Sequence, residues 1–161
     1  MNNEKVINIL KPINWNAVED MLDKKTYEQL ASQFWLANRM PVGKDKKDWS
    51  LLSEIEQKLV GKVFGGLTGL DTLQSEDGID AIKKDAITQH ERAVYNNIAF
   101  MESEHAKSYS SIFSTLNTPK EIREIFEWAE NNEYLQKKAS IIREVYHCLL
   151  YTSDAADDSL R

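Results

Sequence analysis

A single cysteine, Cys148, stands among 161 residues, so no disulfide can close within the chain and no thiolate cluster can hold a metal. Any metal ligands must therefore be carboxylates and histidines. Three prolines and six glycines are too few for a collagen-like or disordered chain. No run of Lys and Arg is interleaved with aromatic rings, and the formal charge is -6, which argues against a nucleic-acid surface. Long apolar runs are missing as well. None approaches a membrane span, and the opening MNNEKVINILKPINW has no signal-peptide core, so a cytoplasmic protein is expected, with no membrane and no nucleic acid as partner. Strand-like alternation with period two is also absent. What is present, 42% hydrophobic and 29% charged residues, suffices for one domain with a core, and the expected class is all-α.

The most informative stretch is Glu91 to Leu116. On a helix at about 100° per residue, Tyr95, Ile98, Glu102, His105, Tyr109, Ile112 and Leu116 fall along one stripe. Its outer members are apolar, but its middle carries a carboxylate, an imidazole and a phenol where a soluble helix ordinarily buries leucine. An ionised Glu there costs several kcal/mol unless paired or bound to a cation. Two readings compete: Glu102 and His105 hydrogen-bond each other and their neighbours, or they share a metal ion. A second core-facing carboxylate on a neighbouring helix would favour the metal. Asp71 is the candidate, in register with Ile55, Leu59, Val63 and Leu67 on a helix that starts at the capping box Ser53/Glu56. Gly65, Gly66 and Gly69 leave that reading open, since they either end the helix or let a neighbour approach closely. Glu104 lies about 200° round from Glu102 and is expected to face solvent.

Elsewhere, residues 1–20 read as an irregular arm across the domain. Thr26 with Gln29 marks a helix start, and that helix is expected to reach about Asn38, before Pro41, with Tyr27, Leu30, Phe34 and Trp35 on its apolar side. A short polar helix is expected from Ile79 to Ala86, and Thr88 with Glu91 starts the central helix. Thr118-Pro119-Lys120-Glu121 is the clearest helix start in the chain. Ile122, Ile125, Phe126 and Ala129 form its buried side. Asn131 and Asn132 interrupt it, and a last helix runs from Tyr134 to Tyr146 with Leu135, Ala139, Ile142 and Val145 or Tyr146 inward.

FGGLTGLDTLQ (64–74) and NIAFMESEHAKSYSSIFSTL (97–116) closely resemble the small, radical-generating subunit of class Ib ribonucleotide reductase. The likeness extends to INWN (13–16), FWL (34–36) and WAENNEYLQKKA (128–139), and spans about residues 5 to 147. It implies a ferritin-like helical bundle, in which Glu-x-x-His pairs on facing helices hold two metal ions. It further implies that Asp71, Glu102 and His105 are one half of a dinuclear manganese or iron site. Tyr109 then matches the tyrosine oxidised to a stable radical, and Trp35 the tryptophan on the electron-transfer route. Ile112 and Phe113 are expected to keep water from that radical. In the family the radical passes to a large catalytic subunit that reduces ribonucleotides to deoxyribonucleotides. The small subunit is a homodimer, and a flavodoxin-like activator serves the manganese form.

The sequence also departs from the family. A second ligand set, two Glu and a His, is expected from later helices, and the 161 residues stop before it. Glu144-x-x-His147 falls on the preceding helix and is expected to be solvated. From Cys148 the likeness ends: CLLYTSDAADD resembles a translated sequencing adapter, so the expected division is 1–147 native and 148–161 non-native. Two other functions fit parts of the pattern. One is a ferritin-like dinuclear-metal oxidase, which Tyr109 disfavours; the other is a metal-free helical interaction protein, which convergence of Asp71, Glu102 and His105 would disfavour.

Overall fold

The computed structural model describes residues 10–158, with side chains as far as His147. Every regular element among the described residues is helical. An irregular arm, residues 10–20, leads into α1 (Met21–Ser32). Two 3-10 turns (Ala37–Arg39 and Val42–Asp45) and the short α2 (Lys46–Trp49) connect it to α3 (Glu54–Leu73). A π-helical segment (Gln74–Gly78), α4 (Ile79–Ile82) and a 3-10 turn (Lys83–Asp85) then reach the long α5 (Gln89–Leu116). Two helices close the described chain, α6 (Pro119–Asn131) and α7 (Glu133–Asp158).

The arm is tied down where the sequence places aromatics. Trp15 packs between Tyr27 and His90, with centroids 4.8 and 4.7 Å away. The His90 Nε2–H donates to the Asn14 carbonyl at 3.0 Å, since a carbonyl can only accept. The first helix departs from expectation. It begins at Met21, because the Asp20 carboxylate accepts the Leu22 N–H as its cap, and ends at Ser32, well short of Asn38. Phe34 and Trp35 thus lie on a connecting strap, outside any helix. Three other starts form as read. Ser53 and Thr118 each make a full capping box with Glu56 and Glu121, and the Thr88 hydroxyl accepts the Glu91 N–H.

Close approach of α6 and α7 to α3 depends on glycine. A Cβ at Gly61 or Gly65 would lie 2.8 or 2.6 Å from side-chain carbons of Ile125, and one at Gly66 would touch Leu135. The buried side of early α3 is therefore its glycine side. Ile55, Leu59 and Val63, expected on the core line, are 80, 62 and 51% exposed. Only further along, at Leu67 and Asp71, does that line turn inward beside α5. Phe113 and Phe126 meet edge to face across α5 and α6, 5.6 Å apart. Asn132 ends α6 and its side chain accepts the Leu135 N–H at the start of α7.

The interior side of α7 is Leu135, Ala139, Ile142 and Tyr146, whereas Val145 is 55% exposed. Its last described side chains brace the π-helical segment. Tyr146 donates to the Gln74 side chain, and Arg143 and His147 reach Asp77 at 2.7 and 3.1 Å. Where the sequence suggests an aperiodic tail from Cys148, the backbone of α7 continues to Asp158, and residues 1–9 and 159–161 lie outside the described chain.

Candidate metal centre

α5 carries the stripe read from the sequence, and all seven of its members are half-buried. The fully buried residues of α5 are others: His90, Val94, Glu104, Ser108 and Phe113. The stripe thus borders a partly open face, over which α3 brings Asp71 and the strap after α1 brings Trp35.

Asp71, Glu102 and His105 each offer one ligand atom, and those atoms all lie within 4.8 Å of one another. The His105 Nδ1 is 3.1 Å from the Glu102 Oε2, so both readings of this pair meet in one arrangement. The pair is hydrogen-bonded, and each residue also offers a ligand atom that converges with one of Asp71. Burial, and next the negative charge of Glu102, push the Asp71 carboxyl above the ordinary carboxylate range, while His105 opposes them. Two acids crowded together with an imidazole are an arrangement that a divalent cation would relieve, and carboxylate oxygens with imidazole suit manganese or iron. The donor set fits such an ion.

The aromatic residues sit around this cluster. Trp35 stacks on His105 with centroids 5.5 Å apart and planes at 26°. Tyr109 stacks on Phe64 of α3 at 5.3 Å and 26°. Burial first, then the charges of Asp71 and Glu102, raise the Tyr109 phenol above its ordinary pKa. Phe64, and not Phe113, is the ring stacked on Tyr109; Phe113 meets Phe126. The sequence shows Phe64 only as the first residue of FGGLTGLDTLQ; the signal was its position seven residues before Asp71, two helical turns away on the same side.

Glu104 corrects the sequence reading. It is 7% exposed, and its Oε2 accepts the backbone N–H of Ala37 at 3.0 Å, which holds the carboxyl below its usual range. It does point away from Glu102, as its helical position requires. That side of α5 is covered by the strap, not by water. Glu144 and His147 remain outside the cluster as expected: Glu144 accepts from Ser140, and His147 pairs with Asp77.

Comparison with known proteins points to one family. The family model "Ribonucleotide reductase, small chain" matches residues 12–156. The chain is 49% identical over 142 residues to the ribonucleoside-diphosphate reductase subunit beta of Mycobacterium leprae, covering 88% of this chain and 44% of that protein. It is 46% identical over 137 residues to the ribonucleoside-diphosphate reductase 2 subunit beta of Escherichia coli, covering 85% and 43%. Among solved structures, the dimanganese(II)-NrdF of Streptococcus sanguinis superposes with a TM-score of 0.83 at 66% identity, over 85% of this chain and 48% of that one. A ribonucleotide reductase R2 subunit from Clostridium botulinum, 24% identical with a TM-score of 0.77 over 87% of this chain and 44% of that one, shares the ferritin-like helical fold. The chain spans less than half the length of the relatives it matches. With a matched family model over most of its length and a carboxylate, carboxylate, imidazole cluster beside a shielded tyrosine, it belongs to the ribonucleotide reductase small-chain family.

Proposed function

We propose that this chain is the N-terminal part of a class Ib ribonucleoside-diphosphate reductase small subunit. In this reading Asp71, Glu102 and His105 are half of the ligand set for a dinuclear manganese or iron centre. Tyr109 is the residue that carries the radical, and Trp35 lies on the path to a large catalytic subunit. The observation that supports it most is the convergence of the three ligand atoms within 4.8 Å, with Tyr109 one helical turn beyond His105. When bound, the metal pair supplies the oxidising power for forming a tyrosyl radical. The chain's own residues prepare for that step. A phenol is protonated at neutral pH, and burial with two nearby carboxylates raises the Tyr109 pKa further, so an electron taken from it must leave together with its proton. Phe64 lies against the phenol ring and excludes water from one face. Trp35, stacked on His105, gives the ligand shell a ring-to-ring link with the strap.

The complete protein is read as a cytoplasmic homodimer that works with the large subunit, and with a flavodoxin-like activator when manganese is used. Residues 148–161 are read as a non-native, adapter-derived segment. On this proposal the 161-residue chain binds manganese or iron weakly and forms no lasting radical. Metal analysis and electron paramagnetic resonance after reconstitution test this, and a stoichiometric dinuclear centre with a radical would refute the half-site reading. Sequencing the genomic DNA past codon 147 tests the remainder. The open reading frame is expected to continue into another Glu-x-x-His, and the full chain with its large subunit should reduce ribonucleotides and lose that activity in Tyr109→Phe.

A further inference from the structure

We propose that Glu104 is a positioning residue: its buried carboxylate anchors the strap after α1 at Ala37 and thereby seats Trp35 on His105. The strap leaves α1 at Gln33 and enters the first 3-10 turn at Ala37. That turn has no side-chain cap of its own, so the Ala37 N–H would be an orphan donor in a residue only 1% exposed. Glu104, 67 positions along the chain, accepts it at 3.0 Å. The other carboxylate oxygen lies 3.4 Å from Lys107 Nζ, so both oxygens are partnered. Among the described residues this is the only hydrogen bond from the strap to α5. The other ties are ring contacts, Phe34 on Phe100 at 5.7 Å and Trp35 on His105 at 5.5 Å, and stacking fixes a ring's distance better than its sideways position.

Geometry divides the work between consecutive residues. Neighbours on a helix point about 100° apart, so Glu104 grips the strap backbone while His105 offers its ring face to Trp35. Ala37 is two residues from Trp35, close enough that a shift of the anchored peptide carries the indole with it. Glu104 itself is not among the converging ligand atoms. Its functional meaning rests on the reading of Trp35 given above, but the positioning role does not.

The experiment reads the ring contact directly. The 161-residue chain, labelled with 5-fluorotryptophan, should give four fluorine resonances, for Trp15, Trp35, Trp49 and Trp128, assigned by Trp→Phe replacements. In the parent, His105→Ala is expected to move the Trp35 resonance. In Glu104→Ala, the Trp35 resonance is expected to move towards that of the free amino acid and to stop responding to His105→Ala, while the other three stay in place. Glu104→Gln keeps an acceptor oxygen for the Ala37 N–H and should restore the parent position. A Trp35 resonance that is unmoved in Glu104→Ala, or one displaced equally by Ala and Gln, overturns the proposal.

Should Glu104→Ala fail to fold, Ala37→Pro removes the same bond from the donor's side. Leu36 is extended, at φ -116° and ψ 139°, as a residue before proline must be. A Trp35 resonance unchanged in Ala37→Pro overturns the proposal just as well. In the complete protein with its large subunit, Glu104→Ala is expected to lower turnover about tenfold or more with the radical content per chain unchanged. Full turnover alongside a displaced Trp35 resonance would refute the reading of Trp35 while leaving the role of Glu104 standing.

Discussion

Replacing Gly65 by alanine sets helix propensity against packing, and the structure says which prevails. Alanine in a helix interior is favoured over glycine by about 1 kcal/mol. At Gly65, however, the new Cβ would lie 2.6 Å from the Ile125 Cγ2 and 3.5 Å from the Ile125 carbonyl oxygen. That Cγ2 is a branch on the Cβ of a buried residue, so it cannot swing aside as the end of a long side chain could. Overpacking of this kind costs about 1–3 kcal/mol, so Gly65→Ala should lose up to about 2 kcal/mol net. Gly69, on the same helix, has nothing within 4 Å of its ideal Cβ, and Gly69→Ala should gain about 1 kcal/mol. For a chain of this length the two midpoints should separate by about 3–9 °C, readable by circular dichroism melting or urea titration. Adding Ile125→Ala, which alone should cost about 2–5 kcal/mol, should cost less in the Gly65→Ala background because the new methyl partly fills the void. If Gly65→Ala proves as stabilising as Gly69→Ala, the close crossing of α3 and α6 is wrong.

Asp71 and Glu102 offer oxygens within 4.8 Å of each other, a repulsion of about 1 kcal/mol in water and about 3.5 kcal/mol at an effective dielectric of 20. With His105 offsetting part of it, Asp71→Asn should raise metal-free stability by about 1 kcal/mol while abolishing calorimetric manganese binding; destabilisation would contradict the crowding. The raised Asp71 pKa makes the folded state hold its proton more tightly than the unfolded one. That contribution is therefore full below the ordinary carboxylate range and lost as pH rises through the folded value, a loss that Asp71→Asn should remove from urea midpoints measured against pH. Glu121 has the opposite sign: bonds from Thr118 lower its pKa, so its contribution is present above the ordinary value and lost as pH falls through the lowered one. Thr118→Ala should cost about 1 kcal/mol near neutrality and flatten that acid limb in the same measurement. Phe64→Ala should bring the Tyr109 phenol back towards its ordinary pKa, though not all the way while the Asp71 and Glu102 charges remain; absorbance titration against a Tyr109→Phe control would show it.

Much of the architecture was legible because its signals are local. The boxes at Ser53 and Thr118 and the cap at Thr88 are satisfied within one helical turn, so a few residues specify each start. The alternation of threes and fours from Tyr95 to Leu116 likewise placed Glu102, His105 and Tyr109 on one face without reference to other helices. The illegible part depends on distant partners. Asp20 won over Thr26 as the first cap, a choice between two residues each competent for the role. Glu104 looked solvated because nothing near it in sequence announces that a strap 67 residues earlier will need an acceptor. Ile55, Leu59 and Val63 obey helical periodicity yet lie on the outer side, because Gly61 and Gly65, which carry no hydrophobic signal, form the contact face with Ile125. Phe64 lies in the segment that carries Asp71, but its pairing with Tyr109 comes from how α3 crosses α5 and appears in neither segment alone.

The π-helical segment from Gln74 to Gly78 sets the rotational phase of α4, the helix directly after it. A helix that makes i→i+5 bonds accommodates one residue more than an α-helical turn, so the chain leaves the segment rotated by about 100° relative to a straight continuation. Beyond it Ile79 and Ala81 are 1 and 2% exposed, while Asp71 upstream keeps its own heading. Deleting any one residue between 74 and 78 would remove the extra residue and the offset together, so α3 would run on as plain α-helix with Ile79 keeping its heading. The full-length segment forced into plain α-helix would instead turn Ile79 by about 100°. The insertion therefore works as a coupling between two registers, letting the segment that holds Asp71 and the segment that closes the core be aimed independently.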